Sequence, residues 1–146
     1  MPSQPAHGLL PALPVLTGLV FNACPASAQE TDSPARPIPV ILDTDIGSDI
    51  DDTWALALLL KCPELKPLLV VSETGDTDYR ARLIARLLET AGRTDIPVGV
   101  GIPFSVDGPR QRQLPWVREY PLDRYPGEVK RDGVRAIIET VMNSPE

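Results

Sequence analysis

Asp43-Thr44-Asp45-Ile46-Gly47-Ser48-Asp49-Ile50-Asp51-Asp52 places five aspartates in ten residues. No Lys or Arg occurs between Arg36 and Lys61 to neutralise them. An apolar run from Ile38 to Leu42 leads in, and a second from Trp54 to Leu60 leads out. That order is the pattern of a buried strand, a polar loop and a buried helix. Carboxylates this crowded repel one another, so some must keep protons or gather a cation. The ligand atoms on offer are oxygens, with no His or Cys in the stretch, which favours a hard ion such as Ca²⁺ or Mg²⁺. The stretch therefore predicts a divalent-metal site at the carboxyl end of the first strand.

Working outward, Val40-Ile41-Leu42 is apolar on both faces, as a strand in a covered parallel sheet should be. Asp51 to Lys61 reads as a helix that is apolar all round and hence buried. Asp51 and Asp52 fall in its first turn, where free N–H groups favour negative charge. Leu68 to Val71 predicts a second strand, followed by the loop Ser72 to Asp76. A second helix is expected from Asp78 to Ala91, with Thr77 and Asp78 as its capping residues. Its inner face would be Ala81, Ile84, Ala85, Leu88 and Ala91, leaving Arg80, Arg82, Arg86 and Glu89 mostly outside. Gly92 is a C-cap signal, and Ile96 to Val100 reads as a third strand. Strands alternating with helices point to right-handed βαβ units. The predicted fold is α/β, an open, Rossmann-like parallel sheet of three strands in the order 3-2-1.

Gly101 to Arg131 carries Pro103, Pro109, Pro115, Pro121 and Pro126 and is too long for an ordinary connection. It is expected to be a functional or covering loop, with Trp116 and Tyr120 anchoring it to the core in preference to capping a ligand. Asp132 should N-cap a last helix with Val134, Ile137, Ile138 and Val141 as its inner face.

The 146 residues suffice for one modest domain. Lys and Arg number 14 against 20 Asp and Glu, a net charge of −6, so the chain should seek neither phosphate backbones nor anionic membranes. Aromatics at 5% argue against stacking platforms for nucleic acid. The first 39 residues hold eight of the 17 prolines, and no Lys or Arg precedes Arg36. Leu9 to Phe21 is mostly apolar and Ala26-Ser27-Ala28 is an A-x-A site, which predicts a signal peptide over 1–28, a linker over 29–38, a domain over 39–146 and export. Cys24 would leave with the leader, so Cys62 would have no partner for a disulfide.

Three chemistries compete for the aspartates. An EF-hand starting at Asp43 would need Gly sixth and Glu twelfth, but Ser48 and Trp54 stand there. A haloacid-dehalogenase-type phosphatase motif begins well with Asp43-Thr44-Asp45, but Gly47 replaces its Thr or Val, and Asp51-Asp52 stays unexplained. The whole stretch resembles the nucleoside hydrolase family, the inosine–uridine-preferring N-ribohydrolases, whose signature is D-x-D-P-G-x-D-D. Asp43, Asp45, Gly47, Asp51 and Asp52 match in order, with Ile46 in place of Pro and two residues, including Asp49, inserted. Leu87-Leu88-Glu89-Thr90-Ala91-Gly92-Arg93-Thr94-Asp95-Ile96-Pro97-Val98 is very similar to the family's segment entering its third strand, and Ile137-Ile138-Glu139-Thr140 also looks alike.

The resemblance implies hydrolysis of the N-glycosidic bond of ribonucleosides, with Ca²⁺ as cofactor. Carried across, Asp45 would be a metal ligand and the general base, Asp52 a bidentate metal ligand, and Asp51 a ribose ligand. Asp43 would support the site from behind, and Asp49 lies in the same loop. Thr74 occupies the place where the family usually has an Asn for ribose, with Asp76 close by. Family enzymes are roughly twice as long, so the resemblance implies an N-terminal portion ending after the third strand and its following helix. Its later half would supply a further Asp, a carbonyl and often a His; the only His here is His7. An inactive chain, or a nucleoside- or sugar-binding module, is the rival expectation. Weak Ca²⁺ binding, negligible nucleosidase activity of this chain by itself and a tendency to associate through the open sheet edge into a homo-oligomer follow from the same reading.

Overall fold

The structure, a computed structural model, describes residues 36–104 and 111–144. The expected leader over 1–28 and its cleavage site lie outside the described residues, as does the linker up to residue 35. The elements follow the expected alternation: β1 (Ile38–Thr44), α1 (Asp51–Lys61), β2 (Leu65–Ser72), α2 (Thr77–Thr90) and β3 (Val98–Val100). A short helix α3 (Leu114–Val117), a 3₁₀ turn (Leu122–Arg124), β4 (Val129–Lys130) and α4 (Gly133–Asn143) complete the order. All strand pairs are parallel, in the spatial order β1-β2-β3-β4. The three predicted strands thus stand in the predicted order. The sheet gains a fourth, two-residue strand inside the segment read as a long connection, where Val98 and Gly99 pair with Val129 and Lys130.

Side chains alternate across β2 and sort the helices onto two faces. Val70 joins the large core cluster with Leu56 of α1 and Leu83, Ile84 and Leu88 of α2. Leu69 and Val71 point the other way, to Ala136 and Ile137 of α4. Helices α1 and α2 share a face, as successive right-handed crossovers in one direction require. Pro67 sits in the central strand β2, where a missing N–H would break the ladder. The strand absorbs it beside a bulge: Val40 pairs with Pro67 and Ile41 with Leu69, leaving Leu68 as the extra residue.

Three helix expectations are corrected. Helix α1 is not buried all round: Leu56 and Leu59 are buried, but Trp54 is 69% and Leu58 65% exposed. In α4 the buried positions are Gly133 and Ala136, with Ile137 half-buried, while Val134, Ile138 and Val141 are exposed. The helix lies flat on β2 and β3 through its small residues, so its bulkier ones turn away. In α2, Tyr79, Arg80 and Leu83 are buried beside the expected Ala81, Ile84, Ala85 and Leu88, because the helix is covered on both sides, while Ala91 is its exposed C-cap. The sheet lies beneath it, and Val117, Tyr120, Leu122 and Tyr125 of the proline-rich segment cover it from above. That segment therefore acts as the expected cover. Tyr120 is buried as the expected anchor, whereas the half-exposed Trp116 lies under the Arg86 guanidinium, 5.0 Å from the ring centre. No helix among the described residues is long and apolar enough to cross a membrane.

Candidate active site

The parallel sheet delivers the polar loops after β1, β2 and β3 to one edge, where open α/β folds gather ligands. Thr44, the last residue of β1, is buried, and its hydroxyl donates to Asp52 Oδ1 at 2.8 Å and accepts from the Ile46 N–H at 3.2 Å. One hydroxyl thus ties the start of the loop to the first turn of α1. Gly47 follows with φ of +101°, a left-handed backbone that a side chain would strain. A Cβ there would also stand 2.6 Å from Tyr79 Oη, which donates to the Gly47 carbonyl at 3.1 Å. The glycine is therefore required by conformation and by close approach together.

Asp49, Asp51 and Asp52 each bring one carboxylate oxygen within 4.8 Å of the other two. Asp45 is not one of that group of three, but its charge bears on both Asp49 and Asp52. Asp49 holds its proton above the usual range because it shares that proton with Asp51. The same bond, together with the Asp52 N–H, pulls Asp51 lower. Asp52 is pushed up by burial, against the pull of the Thr44 hydroxyl, and further by Asp45 and Asp51. Asp49, Asp51 and Asp52 are crowded enough to share protons that a dication would displace. The all-oxygen donor set fits a hard cation such as Ca²⁺. Asp49 enters this cluster directly, since the inserted residues bring it back beside Asp51.

Asp43 stands apart, exposed at the end of β1, its carboxyl raised by partial burial and then by the charge of Glu73. It lines a cavity of about 240 Å³ with Ser72, Glu73, Thr74, Gly101, Ile102, Phe104, Val134 and Ile137. Thr74 has φ of 55°, the one non-glycine residue in the left-handed region among those described. A β-branched side chain is costly there. Asp76 is the true N-cap of α2: one oxygen accepts from the Tyr79 N–H at 3.0 Å and the other from Gln111 Nε2 at 2.7 Å. This corrects the capping role expected of Thr77 and Asp78. The Thr77 carbonyl accepts from the Ser72 hydroxyl, and Asp78 pairs with Arg82 at 3.1 Å.

The residues that hold the aspartate loop were missed by the sequence reading. Arg80, 6% exposed, donates to the carbonyls of Asp45, Ile46 and Thr74 and to the Ser48 hydroxyl. Gln113 donates through its side chain to the Asp49 carbonyl at 3.0 Å and through its N–H to Tyr79 Oη at 3.1 Å. A signal for Arg80 did exist. It sits three and four residues before Leu83 and Ile84, on the apolar stripe of its helix.

Comparison with known proteins agrees with this geometry. The pyrimidine-specific ribonucleoside hydrolase RihA of Enterobacter sp. (strain 638) is 44% identical over 66 residues, 44% of this chain and 20% of the relative's length. The probable uridine nucleosidase 2 of Arabidopsis thaliana is 42% identical over 64 residues, 42% of this chain and 19% of its own length. The chain thus matches about a fifth of the length of these curated relatives. Among solved structures, the type III effector protein XopQ complexed with adenosine diphosphate ribose superposes with a TM-score of 0.57 at 25% identity, over 77% of this chain and 35% of that one. The model of the inosine-uridine preferring nucleoside hydrolase family matches residues 40–146, most of the chain and all of the site, and the chain belongs to that family.

Proposed function

We propose that this chain carries the cation-binding part of a ribonucleoside N-ribohydrolase site, cleaving the bond between base and ribose with the help of Ca²⁺. The observation that carries the reading is the cluster of Asp49, Asp51 and Asp52 carboxylates where the loop after β1, which also bears Asp45, enters α1, in a chain of this family. Asp45 and Asp52 would hold the ion, with Asp49 and Asp51 in reach. A bound Ca²⁺ would acidify and orient a water and anchor ribose hydroxyls. Asp45 takes the proton of the attacking water, whose oxygen bonds to the anomeric carbon as the glycosidic bond breaks and the base leaves with its electron pair. Asp51 accepts hydrogen bonds from ribose hydroxyls. The negative cluster stabilises the positive charge that develops on the sugar. A cavity at the same end of the sheet, with acidic Asp43 and Glu73 beside apolar Ile102 and Phe104, offers room for a sugar and an attached flat ring. Thr74 lines it, and Asp76 caps the helix that follows.

Membership of the family sets aside the phosphatase alternative. The second reading is a module that binds ribose-containing ligands without turnover, favoured by the structural neighbour's complex with adenosine diphosphate ribose. Inosine, uridine and cytidine are incubated with the chain with and without Ca²⁺, and free base is measured by chromatography. Calcium-dependent base release that Asp45→Asn abolishes supports hydrolysis. Calorimetric binding without release supports the second reading, and neither binding nor release would sink both. Export belongs to the proposal as well, and N-terminal sequencing should find Gln29 first.

A further inference from the structure

The deepest cation beside the candidate site is Arg80, and no carboxylate lies within salt-bridge reach of it among the described residues. A buried guanidinium without a counter-ion is expensive unless its donors are satisfied. Here Nε donates to the Thr74 carbonyl at 2.8 Å, Nη1 to the carbonyls of Asp45 and, at 2.8 Å, Ile46, and Nη2 to the Ser48 hydroxyl at 3.0 Å. Four of the five N–H donors are thereby used, all on the two loops that end β1 and β2.

The partners explain the placement. Asp45 and Ile46 open the carboxylate loop, and Arg80 turns their carbonyls inward. Thr74 opens the second loop in a left-handed backbone that threonine disfavours, and its carbonyl is held by the same group. The planar fork of arginine can reach three carbonyls at once, which a lysine ammonium on a single stem matches poorly. The fork stands on α2, whose neighbours Ala81, Ile84 and Ala85 are fully buried, so its base is rigid.

We propose that Arg80 is the positioning residue of this site, a buried brace that locks the Asp45–Ser48 turn and the Thr74 backbone into one geometry and so sets the affinity of the carboxylate cluster for a divalent cation. The proposal rests on the metal reading above for its second half only.

The test compares Arg80→Lys and Arg80→Met with the parent chain. Ca²⁺ affinity is measured by calorimetry, and amide hydrogen exchange is followed residue by residue. The expected result is Ca²⁺ binding at least tenfold weaker in Arg80→Met and intermediate in Arg80→Lys. Exchange at Ile46 to Ser48 and at Gly75 should be at least tenfold faster, with Val70 and Ile84 unchanged. A folded variant with parental loop exchange or parental Ca²⁺ affinity would overturn the proposal, and so would an equal rise in exchange through β2 and α2. If the parent chain binds no Ca²⁺, the metal reading falls, and loop exchange alone decides the role of Arg80 by the same outcomes. Should the Arg80 variants fail to fold, they are made in a Thr74→Gly background, where the left-handed backbone carries no strain. Loop exchange and affinity are then compared with Thr74→Gly alone.

Discussion

Helices α2 and α4 pack on opposite faces of one sheet, both N-capped by an aspartate, and end in different surroundings. Asp76 accepts from the Tyr79 N–H and Asp132 from the Arg135 N–H, each at 3.0 Å. Beyond the cap they diverge. Helix α2 buries eight residues between the sheet and the segment from Leu114 to Tyr125. Helix α4 buries only Gly133 and Ala136 and leaves Val134, Ile138, Val141 and Met142 exposed. An apolar stripe states that a helix could be covered. Whether it is covered depends on a second layer supplied from elsewhere in the chain. The covered side is also the side that holds the aspartate loop, through Tyr79, Arg80 and Gln113.

The contrast is broken most directly by truncating one side chain on each helix. Leu83→Ala, at a fully buried position against Gly47, should cost about 2–5 kcal/mol in urea unfolding. Ile138→Ala, 56% exposed, should stay within about 0.5 kcal/mol. Equal losses would mean that α4 is covered in solution by something the described residues do not include.

Gly47→Ala probes the join between α2 and the loop. The strained φ and the approach to Tyr79 should cost about 1–3 kcal/mol. A cost near zero, read from the same unfolding curves, would show that the loop does not rest on α2.

The smallest effect is confined to alkaline solution. The Tyr125 phenol, buried in the cover of α2 and donating to the Ile96 carbonyl at 2.7 Å, is pushed by burial up to about 12. The unfolded chain ionises near 10, so it loses protons first as pH rises. The contribution is whole below pH 10 and drains away between 10 and 12. Tyr125→Phe should flatten the decline of stability over that window, and an unchanged slope would place the phenol outside the packed cover. Helix α4 carries no tyrosine, so its face should be indifferent to this range.

Much of this was legible in the sequence because it is local. The alternation of apolar runs with polar loops produced the parallel order of β1, β2 and β3, and the spacing of Asp43, Asp45, Gly47, Asp51 and Asp52 marked the family and the loop on which the site is proposed. Helix α1 began and ended where Asp51 and Pro63 said it would. Only the tertiary structure decided what those residues touch. Backbone hydrogen bonding of β4 to β3 is non-local, and two residues carry no periodicity to announce it. The exposure of Trp54, Leu58, Val134, Ile138 and Val141 follows from how far each layer reaches, which a helical stripe does not encode. Arg80 shows the same limit at the site. Its charge marked it for the surface, but the carbonyls of Asp45 and Ile46, which lie 29 and 28 residues before that of Thr74, could be gathered around it only once the strands were paired, and a buried guanidinium is tolerable only where such acceptors converge.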